Sequence, residues 1–125
     1  MNQHSPGITY VGLRTAHVAS MKVFVEHILG YEKTHDDGEF VAFTTPRGQR
    51  FELHAEQTPD KQFYPLECAV IGFEVADFDN SVAWLKQNNY EIFPDGMDES
   101  PDGTKWVHFR GPDGNVYEFV HHPSL

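Results

Sequence analysis

The chain has 125 residues, 39% of them hydrophobic and 14% aromatic, with a formal net charge of −10. That supplies one compact core and excludes disorder as the main state. The acidic balance excludes a nucleic-acid surface, which needs clustered Lys and Arg, and suits a cationic organic ligand. One cysteine, Cys68, cannot form an internal disulfide. No segment reads as a signal peptide or approaches the roughly 20 apolar residues of a membrane helix. The expectation is a cytoplasmic protein with no membrane or nucleic-acid partner.

Residues 1–6 are polar and expected to fray. Residues 8–15 alternate as a strand, with Val11, Leu13 and Thr15 on one face and Tyr10, Gly12 and Arg14 on the other. A helix follows over 18–29, with Ser20 or an earlier residue at its start and Gly30 as its stop. Val23, Phe24, His27 and Ile28 form its expected packing stripe. Asp36-Asp37-Gly38 marks a hairpin between strands at 31–35 and 39–44. Pro46-Arg47-Gly48 turns the chain into a strand at 49–55. Residues 56–66 carry two prolines and no periodicity, and read as a linker. A strand at 67–75 leads to a helix at 78–87, capped by Asp77 or Asn80 and packed through Val82, Ala83, Trp84 and Leu85. Residues 90–93 form a short strand, and 94–104 read as a mobile loop. Strands at 105–110 and 116–121 flank Gly111-Pro112-Asp113-Gly114-Asn115.

The two halves repeat one pattern. Residues 10–17 and 70–77 are alternating strands with Gly at the third position, and each runs into an amphipathic helix. Each half closes with a Gly turn and an acidic strand, at 47–53 and 113–119. Tyr10 and Val70 are 60 residues apart, as are Phe24 and Trp84, whereas Glu52 and Glu118 are 66 apart. This self-similarity predicts two copies of a strand–helix–three-strand unit in a single domain, at 8–55 and 67–122. The six additional residues of the second copy fall in the 94–104 loop.

The run from Phe24 to Leu29-Gly30, and Gly111-Pro112-Asp113-Gly114-Asn115-Val116-Tyr117-Glu118 near the end, resemble the vicinal oxygen chelate superfamily. That superfamily includes glyoxalase I, extradiol dioxygenases and the fosfomycin and bleomycin resistance proteins. The resemblance covers residues 8–122. It implies an α+β fold of two βαβββ modules forming a curled, cup-shaped mixed sheet with flanking helices. It also implies a homodimer. In metal-dependent members a divalent ion takes His or Gln from the first strand of each module and Glu from the last. Those positions here are Tyr10 and Val70, then Glu52 and Glu118. Both carboxylates are present and both imidazoles are absent. Val70 has no donor, and a phenol with an unperturbed pKa of about 10 is a poor ligand. The usual metal site is therefore expected to be lost, leaving no cofactor.

Eight histidines offer a substitute. His54 shares a strand face with Glu52, and His122 with Glu118; His121 faces the other way. His4 and His17 read as surface residues, and His27 as a helix-edge residue. Were a divalent metal bound, its ligands would be Glu52, His54, Glu118 and His108. The candidate ligand-binding set is Tyr10, Arg14, Glu52, His54, Glu74, Trp106, His108 and Glu118. Arg14 and Glu74 stand at equivalent positions of the two copies.

Three readings follow. The first is a small-molecule-binding protein similar to the bleomycin resistance proteins, without a metal. The second is a metal-dependent lyase, isomerase or dioxygenase acting on vicinal oxygens of a small organic substrate. The third is metal-free acid–base chemistry by Glu118 or His108.

Overall fold

The computed structural model describes residues 5–123 of the chain. The fraying expected of residues 1–6 and the surface place expected of His4 fall, wholly or in part, outside these residues. The element order is β1 (Ile8–Thr15), α1 (Val18–Val23) continuing as a π-helix (Phe24–Leu29), β2 (Glu32–Asp36), β3 (Phe40–Thr44), β4 (Arg50–Ala55), β5 (Ala69–Glu74), α2 (Phe78–Gln87), β6 (Ile92–Glu99), β7 (Lys105–Arg110) and β8 (Val116–His121). Strand, helix and three strands thus occur twice. The chain divides into two compact units, one spanning Tyr10–Val70, the other Ile71 onward together with the described residues up to Thr9.

In the 10–70 unit, β1 runs parallel to β4, and β3 pairs antiparallel with β4 and with β2. Val25, Val41, Phe43 and Leu53 form its buried core, with Leu13, Val18, Met21, Tyr31 and Phe51 around them. The helical stripe expected of Val23, Phe24, His27 and Ile28 is not the packing face. Val25 is the buried residue, while Val23, Phe24, Ile28 and Leu29 are 40–71% exposed. Val18, Met21 and Val25, spaced i, i+3, i+7, supply the inward face instead, and the expected stripe lies on the other side of the helix. Gly30 ends the segment in the left-handed conformation, as its position predicts.

In the other unit, β5 runs parallel to β8, β7 pairs antiparallel with β8, and β6 with β7. The Asp77 carboxylate caps α2 by accepting from the Asn80 N–H at 3.1 Å. Phe78, Val82 and Leu85 of α2 pack on Val107 and Phe109. Ala83 and Trp84 are only half buried. The mobile loop expected at 94–104 is instead largely strand, because β6 reaches Glu99. Its pairing slips between Ile92 and Met97, and Pro94 and Gly96 lie within that irregularity. A bulge on an edge strand accepts a proline that a regular ladder would not.

The strand order β2-β3-β4-β1-β5-β8-β7-β6 makes an eight-stranded mixed sheet that ends on β2 and β6 without closing. This corrects the curled, cup-shaped sheet. The α+β class and the flanking helices stand.

Candidate functional site

Each unit buries a glutamate on its last strand, on the sheet face that its helix leaves uncovered. In the 10–70 unit, odd positions such as Phe43 and Leu53 face the helix, so pleating turns Glu52 and His54 to the other side. Glu52 is 8% exposed and His54 6%. The Tyr10 hydroxyl donates to Glu52 Oε1 at 2.5 Å, His54 Nε2 lies 3.1 Å from the same oxygen, and Arg50 Nε donates to Oε2. Burial pushes the Glu52 carboxyl up. The His54 hydrogen bond, the Arg50 charge and the Tyr10 hydroxyl outweigh it, and the net shift is downward. Tyr64 stacks on the His54 ring at 4.1 Å between centroids, and its hydroxyl meets that of Tyr10 at 2.5 Å. Gly12 pairs with Glu52 across β1 and β4, and a Cβ there would collide with the Tyr10 hydroxyl and the Tyr64 ring. Arg14 donates through Nε to the Glu56 carbonyl at 2.9 Å and through Nη1 to the Tyr64 carbonyl at 3.4 Å.

In the second unit Glu118 is 3% exposed and His108 4%. They face each other across β7 and β8, with His108 Nε2 3.5 Å from Glu118 Oε2. The other ring nitrogen, Nδ1, lies 3.0 Å from the Gly96 carbonyl, in the irregular part of β6. A carbonyl only accepts, so Nδ1 carries the proton in that contact. Nε2 and Oε2 then attract each other when one proton lies between them, held by either partner. Gly72 pairs with Glu118 as Gly12 does with Glu52. The Glu74 carbonyl accepts from the Ser5 hydroxyl at 2.6 Å, and Trp106 is half buried opposite Val120. His122 Nε2 lies 2.8 Å from the Thr9 hydroxyl, and His121 Nδ1 3.1 Å from the Val75 carbonyl.

The structure thus brings Tyr10, Glu52 and His54 together in one unit and His108 and Glu118 in the other. Sequence reasoning missed Arg50, Tyr64 and the Gly96 carbonyl. Arg50 stands two residues before Glu52, the spacing that puts both on one strand face. Phe63 and Tyr64, adjacent aromatics in a polar stretch, are both buried; their apolar character was the available signal.

Residues 7–119 match the Glyoxalase/Bleomycin resistance protein/Dioxygenase superfamily. The chain belongs to this superfamily. No curated protein resembles it in sequence at a significant level. Among solved structures, a hypothetical protein from Bacillus halodurans C-125 is similar with a TM-score of 0.70 at 14% identity, covering 94% of this chain and 95% of that one. Methylmalonyl-CoA epimerase from Mycobacterium tuberculosis is similar at 0.68 and 15%, covering 99% and 93%. The Streptomyces coelicolor methylmalonyl-CoA epimerase, in complex with 2-nitronate-propionyl-CoA, is similar at 0.66 and 16%, covering 97% and 100%. At such identities the likeness is one of fold.

The metal positions that the resemblance implies are Tyr10, Glu52, Val70 and Glu118. Val70 has no donor atom, the Tyr10 hydroxyl is spent on Glu52, and Glu52 is already engaged by Arg50 and His54. Among the described residues, no group of three or more His, Cys, Asp or Glu could hold a metal ion. This donor set does not fit the divalent ion of metal-dependent superfamily members.

Proposed function

We propose that the protein is an enzyme of the isomerase type that moves a proton at a carbon beside a carbonyl of a small organic substrate. The observation that carries this reading is the buried Glu118–His108 pair, with its imidazole oriented by the Gly96 carbonyl. A base held by a second group, which is itself fixed by a third, is the arrangement that general acid–base catalysis requires. Ionised Glu118 takes the proton from carbon, leaving an enolate. His108 shares the captured proton through Nε2; its return to the opposite face of the enolate carbon, once the enolate has turned, gives the isomer, and its return to the same face regenerates the substrate. Burial in an apolar strand environment keeps water from competing for that proton.

The likeness to several methylmalonyl-CoA epimerases supports an isomerase over other chemistries. Tyr10, Arg14, Glu52, His54, Glu74 and Trp106 are proposed as binding residues. No helix among the described residues is long and apolar enough to cross a membrane, and we place the protein in the cytoplasm. The exposed apolar side chains of Val23, Phe24, Ile28 and Leu29 support pairing with a second copy of the chain.

A second reading, ligand binding without chemistry, is favoured by one observation. The Glu52 charge is already matched by Arg50, His54 and Tyr10, which suits a fixed binding wall better than a reacting group. The two readings separate by proton NMR in D2O, using methylmalonyl-CoA and a panel of small carbonyl acids with an acidic C–H. The expected result is loss of the signal of the proton beside the carbonyl. The rate should fall about 100- to 10,000-fold in Glu118→Gln and in His108→Gln. A compound that binds without exchange, or exchange that both variants retain, overturns the isomerase reading.

A further inference from the structure

A cavity of about 470 Å³ opens beside α2 in the 71–123 unit, on the sheet face opposite the Glu118–His108 pair. Its volume lies in the range of about 300–1,000 Å³ typical of small-molecule pockets. Two stacked aromatic pairs line it: Trp84 with Tyr90 at 5.7 Å between centroids, and Phe73 with Tyr117 at 6.0 Å. Phe109 joins them, its ring 6.3 Å from both Tyr90 and Tyr117. Phe73, Trp84, Tyr90 and Tyr117 are only half buried, so apolar ring surface remains accessible.

One charged side chain lines this cavity, and it is an acid. Asp113 accepts from the Tyr117 hydroxyl at 2.7 Å and from the Asn115 N–H and side-chain amide, each at 3.0 Å. The Tyr117 bond, followed by the Asn115 bonds, holds its carboxyl below the usual carboxylate range, so it stays ionised at neutral pH. No Lys, Arg or His is among the lining residues described. Arg110, the nearest basic residue in sequence, turns to the Gly114 carbonyl, to Glu91 and to the Phe93 ring. The glycine at position 111 is required here, because a Cβ would stand 2.7 Å from the Tyr117 ring. The Gly111-Pro112-Asp113-Gly114-Asn115 turn therefore does more than connect β7 to β8. It seats Tyr117 against the backbone and sets a carboxylate beside aromatic faces.

We propose that this cavity is a second ligand site, separate from the Glu118–His108 pair, for a small aromatic ammonium compound. Ring faces present their negative quadrupole to a cation, and the ligand's own ring stacks on the accessible aromatic surface. The Asp113 carboxylate and the net charge of −10 oppose an anion and favour a cation. The site stands independently of the isomerase reading, since none of its lining residues belongs to the proton-transfer pair.

Benzyltrimethylammonium serves as probe and benzyl alcohol as its neutral control. Trp84 fluorescence is followed in a Trp106→Phe background, which leaves Trp84 as the one tryptophan. The expected result is saturable quenching in the millimolar range, as about 11 heavy atoms at modest ligand efficiency give. Benzyl alcohol should bind about three- to thirtyfold more weakly, the range of a partly desolvated cation–π contact. Asp113→Asn should weaken the ammonium about threefold and leave benzyl alcohol unchanged. Because Asp113→Asn loosens a turn, amide chemical-shift mapping on the unsubstituted protein provides a second measurement. Shifts should cluster at Phe73, Trp84, Tyr90 and residues 109–119. Absence of saturation, equal affinity for the neutral control, or shifts centred on residues 52–54 overturns the proposal.

Discussion

Glu52 and Glu118 occupy the same place in their units and keep different company. Each lies on the last strand beside a glycine of the parallel first strand, Gly12 or Gly72. Each has one residue directly across the antiparallel ladder, Ala42 for Glu52 and His108 for Glu118. On their own strands the flanking residues differ too. Arg50 and His54 lie two residues either side of Glu52, whereas the buried Val116 and Val120 flank Glu118. The imidazole has changed position between units, from the same strand to the facing one, and the guanidinium has been replaced by a valine. Glu52 is therefore a compensated charge within a hydrogen-bonded wall. Glu118 sits between valines and faces one imidazole with which it can share a proton. Topology sets where the carboxylate stands; the residues two positions away set what it can do.

The sharpest way to break this contrast is to remove each imidazole in turn. His108→Gln should cost about 100- to 10,000-fold in carbon-proton exchange, since it removes half of the proton-transfer pair. His54→Gln keeps a hydrogen-bond donor beside Glu52 and should leave the exchange rate within about tenfold. Both variants are compared by exchange rate and by thermal melting. If His54→Gln loses as much activity as His108→Gln, the two units do not divide roles as their neighbours suggest.

Much of this contrast was legible before any coordinates. The repeated Gly turn and acidic closing strand mark Glu52 and Glu118 as equivalent, and the strands expected at 105–110 and 116–121, on either side of the Gly111-Pro112-Asp113-Gly114-Asn115 turn, coincide with β7 and β8. Phe78–Gln87 reads as a helix because its cap, Asp77, and its apolar spacing agree. Three features were not legible. The 18–29 segment carries apolar residues on two faces, and spacing alone does not say that Val18, Met21 and Val25 turn inward rather than Val23, Phe24 and Ile28. Pro94 and Gly96 read as breakers, although on an edge strand they fit within a bulge. Tyr64 lies in a segment without periodicity, and only the folded chain brings it onto His54. The cup shape came from resemblance alone, and the open strand order overrules it.

The wall around Glu52 makes a second test, of intermediate size. Gly12→Ala inserts a methyl group against the Tyr10 hydroxyl and the Tyr64 ring. Both tyrosines are buried, and Tyr10 is tied to Glu52, so neither yields freely. Overpacking of this kind costs about 1–3 kcal/mol, measurable as a lowered urea midpoint. The Gly12→Ala, Tyr10→Phe pair should lose less than the sum of its parts, because removing the hydroxyl removes one of the colliding atoms. Additive losses would mean that Gly12 is required for some other reason.

The smallest effect sought is a difference in acid sensitivity, and it tests the compensated state of Glu52 directly. Burial raises its folded-state pKa, but the His54 hydrogen bond, the Arg50 charge and the Tyr10 hydroxyl together hold it below the ordinary glutamate value. A carboxylate whose pKa is lower in the folded than in the unfolded chain contributes stability above its unfolded pKa, about 4.3. That contribution fades as pH falls through the folded value, where the native state also takes up the proton. The native protein should therefore lose more stability between pH 7 and pH 3 than Glu52→Gln, which has no proton to bind there. Urea unfolding at four or five pH values across this window measures the difference. Parallel curves for the two proteins would show that the carboxylate gains nothing net from its three partners, and the contrast with Glu118 would then rest on His108 alone.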